Sequence, residues 1–272
     1  MTDEQRDLAM HLELHEAKVW AACVAAAAEI SGNPLKAEVD SRCGSALVTL
    51  AALNFGHFNR VIALGVNTPA TDEDLESVKS FYSSRSQSRF TVEVTPASQP
   101  PDLAELLTRH GLQKSGVRVA KCWRTVDDFV STRIEPEVDV QLLSVEHLDA
   151  FNAVSVAAWG TSKALGVWFG ATLGREGFRH YGIFDGDELV STCAMFISDD
   201  IAWTGFAATK PQYQRRGFQK ARIVREMIDA AALGCRGIHN EADVDGSGIS
   251  LRNIVRAGFQ HLYTKDTYAS FG

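Results

Sequence analysis

The stretch KPQYQRRGFQKARI, residues 210–223, sets Arg215, Arg216 and Lys220 around Gly217 at the mouth of an amphipathic run. A solvated basic patch needs no glycine, and an ordinary turn needs no cations; a site for a small polyanion uses both. Gly217 has no side chain to hold a ligand away from the backbone. A strand ending near Thr209 and a helix opening at about Phe218 would point the unbonded N–H groups of residues 215–220 outward. A pyrophosphate can accept several of those bonds, with the two arginines and Lys220 adding positive potential around it. The competing reading is a basic turn that is merely solvated, and the strand before it and the long helix after it weigh against that.

The first half of the chain supplies a contrast. There NRVIALG also feeds a helix, but that helix opens on Asp72, Glu73 and Asp74, behind Thr71. Thr71 with Asp74 three residues on is a capping-box variant, so side chains of the helix take its own free amides. Carboxylates there would repel a phosphate. Only the second half is expected to hold an anion.

The elements that must position this loop read as an α/β chain. An Ala- and Leu-rich helix fills most of the first thirty residues and stops at SGNPL. Short apolar strands, the capped helix, FTVEVTP, a Pro-led helix (PPDLAELLTRHG) and GVRVAKCWR follow. The segment TVDDFVSTRIEPEV is polar, lacks a clear period and contains Pro136, so the domain boundary is placed there, between residues 1–130 and 138–272. The second half opens with VDVQLLS, two helical stretches and three strands joined at Asp185-Gly186 and Asp199-Asp200. A helix with Phe218, Ala221, Val224, Ile228 and Ala231 on one face comes next, then RGIHNEA, a short helix and a closing strand. LLTRHGLQKSGVRV and NIVRAGFQHLYTKD share a helix, Arg-x-Gly, apolar, Gln, strand order, which suggests two related units.

Composition narrows the classes. A formal charge of -7 argues against binding nucleic acid by bulk electrostatics, and makes one short cationic loop more informative. The 272 residues contain no stretch long and apolar enough for a membrane span. The acidic start MTDEQRDLAM does not read as an export signal. Five scattered cysteines without a CxxC pair fit reduced, buried thiols in a cytoplasmic protein and no metal site.

Loop and element order together resemble the GCN5-related N-acetyltransferase (GNAT) superfamily, whose acetyl-CoA motif runs Gln/Arg-x-x-Gly-x-Gly/Ala. Here it is Gln214-Arg215-Arg216-Gly217-Phe218-Gln219, with Pro211 three residues earlier. Gln219 departs from the small final residue, as in a tandem subgroup of the family. The match covers roughly residues 138–272, and the N-terminal half looks like a degenerate copy. The resemblance implies a GNAT fold, a mixed and mostly antiparallel sheet flanked by helices, in two tandem units. It implies a CoA diphosphate on residues 214–219, with Lys220 beside it, and a pantetheine arm along Phe206, Ala207, Ala208 and Thr209. That arm would lie between this strand and GIHNEA, which splay apart, with Ser250 and Asn253 toward its thiol end.

Acetyl transfer to an amine requires a deprotonated amine, a polarised carbonyl and, where the leaving thiolate needs one, a proton. A backbone N–H near Ala207 or Ala208 can serve the carbonyl. Glu241 is the first candidate base, with His239 and Asp243 behind it. Many relatives carry a tyrosine four residues before the Gly-apolar pair that ends the penultimate helix, where this chain has Ile254. Tyr263 and Tyr268 are the substitutes, and Trp159, Trp168 and Phe169 are candidates for the acceptor wall. The implied function is N-acetyl transfer from acetyl-CoA to a small-molecule or peptide amine, in a monomer or homodimer, with no nucleic-acid or membrane partner. The net charge mildly favours a cationic acceptor. The alternative is a catalytically silent acyl-CoA-binding or sensory module, and a third reading makes the first unit a partner-binding surface.

Overall fold

A computed structural model describes residues 2–42, 44–53, 56–132, 137–244 and 248–271. The chain runs α1 (Asp3–Ala28), β1 (Ala37–Arg42), β2 (Ser45–Leu50), β3 (Asn59–Ile62), α2 (Asp72–Ser83), β4 (Thr91–Val94), α3 (Leu103–Arg109) and β5 (Gln113–Thr125). It continues through α4 (Val126–Thr132), β6 (Gln141–Leu143), α5 (Leu148–Trp159), α6 (Lys163–Gly170), β7 (Phe178–Asp185), β8 (Glu188–Ser198) and β9 (Ile201–Thr209). The last elements are α7 (Phe218–Ala232), β10 (Gly237–Asp243), α8 (Ile249–Arg256) and β11 (Gln260–Ala269). Among the described residues no helix is long and apolar enough to cross a membrane. Cys23, Cys122, Cys193 and Cys235 are free and buried; Cys43 lies outside the described residues.

Two compact units emerge, and they are discontinuous in sequence. The first holds Met1–Ala120, Asp243–Gly246 and Tyr263–Gly272; the second holds Lys121–Ala242 and Ser247–Leu262. In the first, β1, β2 and β3 pair antiparallel, β3 pairs parallel with β4, and β11 pairs antiparallel with β4 from Asp266↔Val94 to Ala269↔Thr91. In the second, β6, β7, β8 and β9 pair antiparallel, β9 pairs parallel with β10, and the end of β5 borders β10. Trp123 packs so closely on Gly237 that a Cβ there would meet the indole at 2.4 Å. The sheet of each unit thus takes in strand residues from the other half of the sequence.

The segment expected to be an irregular boundary contains α4, because Val126 and Phe129, one turn apart, are both buried. Arg124 lies 5.1 Å above the Phe129 ring. Pro136 lies outside the described residues. The expected duplication has a geometric counterpart in the helix ends. Gly111 and Gly258 both take left-handed φ, 86° and 87°. Leu112 N–H reaches Leu107 O at 3.0 Å, and Phe259 N–H reaches Ile254 O at 3.3 Å, the same backward bond closing α3 and α8.

The first unit buries a charged cluster. Lys265 Nζ on β11 lies 2.6 Å from Glu93, 2.9 Å from Glu16 and 3.5 Å from Glu13. Arg60 on β3 meets Glu16 at 2.9 Å and Glu93 at 2.5 Å, with Trp20 beneath its guanidinium at 4.2 Å. The three carboxylates are close enough together to hold a metal ion, and the Lys265 ammonium stands at that place. Burial pushes the Glu93 carboxyl up, yet Arg60 and Lys265 hold it below its ordinary value. The cluster ties α1, β3, β4 and β11 together, which accounts for residues 263–272 belonging to the first unit. Lys265→Met would strand buried carboxylates without their cation. Chemical denaturation should show a loss of about 3–5 kcal/mol, and a loss below roughly 1 kcal/mol would mean that the cluster is not a tie.

Candidate active site

The parallel ladder between β9 and β10 runs only from Gly237↔Ile201 to His239↔Trp203. Beyond it, Thr204–Thr209 and Asn240–Asp243 form no rungs with each other among the described residues. The opening coincides with a break in the other ladder of β9. Thr192 pairs with Ala208 and Ala194 with Gly205, so Phe206 and Ala207 together oppose Cys193 as a bulge. Phe206 takes φ 51°, a left-handed value for a bulky residue. Trp168, Phe169 and Trp203 hold its ring edge-on at 5.0, 5.6 and 5.5 Å. Trp203 reaches back over Gly205, where a Cβ would meet the indole at 2.1 Å. Ala207 is exposed and Ala208 buried.

Arg222 supports the bulge from below. It is buried on α7 and donates to Ser191 Oγ at 2.7 Å, to Thr192 O at 2.6 Å and to Ala208 O at 2.5 Å. One turn on, Glu226 is buried and accepts from Thr204 Oγ1 at 2.5 Å. Burial raises its carboxyl to about 7 against the hydrogen bond from Thr204. Neither residue was singled out from the sequence, which placed Ile228 and Ala231 on the apolar face of α7. The face actually buried includes Ala221, Arg222, Glu226, Met227 and Ala230. The available signal was an Arg and a Glu four apart, alongside Ala221, Val224 and Met227 of the same helix.

β9 ends at Thr209 and α7 begins at Phe218, where the sequence placed them. Between them, Gly217 is the helix cap at φ 80°, and Arg215 also takes a positive φ of 64°. The first helical bond is Ala221 N–H to Gly217 O at 3.1 Å. The N–H groups of residues 215–220 meet no acceptor among the described residues. A Cβ on Gly217 would meet no protein atom within 4 Å, so the space above the cradle is open. Gln214 is exposed. Arg216 lies over Tyr213 at 4.9 Å and 3.7 Å from Asp185, and Lys220 is paired with Glu137. Arg215 makes no ion pair with a described residue. In the first unit, Thr71 Oγ accepts from Asp74 N–H at 3.2 Å and Asp74 accepts from Thr71 N–H at 2.9 Å. That helix end is closed by its own side chains.

Asn253 Nδ2 donates to Gln219 Oε1 at 2.8 Å, so the residue departing from the motif is tied to α8. Ser250 is exposed one turn earlier. Glu241, at the open end of β10, keeps 15% of its side chain exposed and lies 3.2 Å from Lys121, which is fully buried. Lys121 comes from the half of the sequence read as the degenerate copy, which is why it was missed. His239 is buried in the ladder, and Asp243 is exposed at the end of β10.

Tyr263 belongs to the first unit, where its hydroxyl donates to Glu13 at 2.8 Å. Burial and the neighbouring Glu13 push its pKa far up. Its hydroxyl is therefore committed within the first unit. Tyr268 packs in the first unit's core, and Ile254 is buried on α8. A cavity of about 500 Å³ lined by Leu142, Leu143, Phe178, Arg179, Ile197 and Leu233 contains none of the predicted site residues.

No family model and no curated protein matches the chain. Solved structures do. A GCN5-related N-acetyltransferase from Kribbella flavida is 18% identical, with 92% of this chain and 96% of that chain covered and a TM-score of 0.63. A GNAT-family acetyltransferase from Colwellia psychrerythraea is 15% identical over 84% and 81%, with a TM-score of 0.55. A tandem GNAT protein from the clavulanic acid biosynthesis pathway is 13% identical over 77% and 73%, with a TM-score of 0.56. The chain has the GNAT fold, a mixed sheet flanked by helices, like these structures.

The raised Glu226 carboxyl gives a pH prediction. Unfolded, it titrates near 4.5; folded, near 7, so the native state holds the proton more tightly. Its contribution is complete below pH 4.5 and is lost as pH rises through about 7. The stability difference between Glu226→Gln and the natural chain should move in the variant's favour by on the order of 3 kcal/mol across that window. Parallel denaturation profiles across the same range would contradict the assignment.

Proposed function

We propose that this protein transfers an acetyl group from acetyl-CoA directly to a primary amine. The observation that carries the reading is the coincidence of two unfilled sets of backbone groups in one unit. These are the amides of residues 215–220 around Gly217 and the strand Thr204–Thr209, which has parted from β10. A diphosphate fits the first and an extended pantetheine amide chain fits the second. Arg215, Arg216 and Lys220 add positive potential at the diphosphate end, while Gln214, Phe218 and Gln219 shape the cradle.

In this reading the thioester carbonyl lies at the Phe206–Ala207 bulge. An N–H of Ala207 or Ala208 is a fixed dipole there, able to bind the oxygen more strongly as it gains charge. Glu241 takes the proton of the incoming ammonium through water, and Lys121 positions its carboxylate. The neutral nitrogen attacks the carbonyl carbon, the C–S bond of the tetrahedral adduct breaks to give the CoA thiolate, and the second nitrogen proton passes to solvent water as the amide forms. That thiolate departs without a tyrosine donor, since Ile254 has none to give and Tyr263 is committed to Glu13.

The same two observations favour a second reading, an acyl-CoA-binding sensor without turnover. Release of free thiol over a panel of primary amines separates the two: binding without turnover on any amine supports the sensor. The cradle itself is tested by titration calorimetry. Gly217→Val places a branched side chain at φ 80° and into the open space above the loop. Hydrogen bonds to a charged ligand are worth roughly 1.5–3 kcal/mol each, so acetyl-CoA should bind well over tenfold more weakly. Arg215→Ala, an exposed charge, should cost about 1 kcal/mol or less. Normal binding by Gly217→Val together with no binding by Arg215→Ala would replace the backbone cradle with a side-chain clamp.

A further inference from the structure

Rings form a path from the bulge to the surface of the second unit. Phe206 touches Phe169 at 5.6 Å, edge to face, and Phe169 stacks on Trp159 at 5.8 Å and 29°. Phe169 is buried, whereas Trp159, the last residue of α5, is 55% exposed. An indole that far exposed yet held in a fixed plane by a buried neighbour presents apolar surface at little cost in conformational freedom. Its plane is set by close packing of α6 on α5: a Cβ on Gly166 would meet Val156 at 2.4 Å, and one on Gly170 would meet Asn152 at 2.4 Å. The charge on this wall is equally informative. From Ala150 to Arg175 the sequence has no aspartate or glutamate, and Lys163 is the one charged residue before Arg175. A wall meant for a polyamine or an aminoglycoside would carry carboxylates.

We infer that the acceptor is an arylalkylamine, a monoamine whose aromatic ring stacks on Trp159 while its nitrogen reaches the Phe206–Ala207 bulge. This rests on the acetyl-transfer reading above, and it narrows the cationic acceptor mildly favoured by net charge to a monoamine. Ring-on-ring contact discriminates an aryl from an alkyl amine through buried area and quadrupole alignment, neither of which needs an acidic partner. The ammonium is left for Glu241.

The test uses the full chain with 2-phenylethylamine, butylamine and neamine as acceptors, read by thiol release, and calorimetry of acetyl-CoA and 2-phenylethylamine separately. kcat/KM for 2-phenylethylamine should exceed that for butylamine and neamine by about tenfold, the effect of one well-stacked ring. Trp159→Ala should raise KM for 2-phenylethylamine by a similar factor, about tenfold, and Trp159→Phe should largely restore it. The acetyl-CoA dissociation constant should not change in either variant. Equal use of the three amines, or an unchanged KM in Trp159→Ala, overturns the inference while leaving acetyl transfer standing. If nothing is turned over, the calorimetry decides. Acetyl-CoA binding without Trp159-dependent binding of 2-phenylethylamine overturns the aryl site alone. Trp159-dependent binding of 2-phenylethylamine without acetyl-CoA binding supports the aryl site and overturns the transfer reading.

Discussion

A parallel ladder that stops at His239↔Trp203 leaves the backbone of Thr204–Thr209 without its β10 partner, and much of the second unit serves to hold that opening. Strand polar groups normally close on their neighbours, because unpaired N–H and C=O groups are costly once removed from water. Here the closure is prevented by structure on both sides. The bulge turns Phe206 to φ 51°, three aromatic rings fix its side chain, and Arg222 fills the carbonyls that the bulge displaces. Glu226 reaches Thr204 from the same helix. The loop after β9 follows from the same geometry: the strand ends at Thr209, and Gly217 turns the chain into α7 with its first amides facing outward.

The first unit shows the opposite solution to the same local problem. Its helix after β3 starts on Thr71 and Asp74, which use each other's backbone N–H groups, and three acidic side chains stand in the first turn. Its polar investment lies in the core instead, where Lys265 and Arg60 meet Glu13, Glu16 and Glu93. A buried ion cluster of this kind adds little net energy but is expensive to break. The cluster joins β11 to α1, β3 and β4.

Much of this was legible in the sequence because it is local. Gly217 beside two arginines, the Thr71 capping box, the hairpin at Asp199-Asp200, and the matching stops at Gly111 and Gly258 all depend on residues a few positions apart. The earlier hairpin turns on Gly186-Asp187, one residue past the expected Asp185-Gly186, because Asp185 still pairs with Glu188. What could not be read depends on distant pairs. Lys121 meets Glu241 across most of the second unit's sequence, and Lys265 and Tyr263 meet Glu13 and Glu16 near the other terminus. No periodicity announces such partners. Tyr263 looked available as a proton donor because a strand residue's role is set by which unit it pairs with. Arg222 and Glu226 were hidden by type: charged residues in a helix read as solvated, and only packing against β8 and β9 shows them buried. α4 is hard to read because its two buried apolar residues, Val126 and Phe129, are too few to set a period.

As proposed, the parted strands and the Gly217 loop form one cradle for CoA. A crystal structure of the full chain grown with CoA tests it most directly. The diphosphate should lie on the N–H groups of residues 215–220 and the pantetheine arm alongside Phe206–Thr209, between β9 and β10. A diphosphate seated instead on residues 68–74 of the first unit, or β9 and β10 closed on each other with CoA elsewhere, would contradict it.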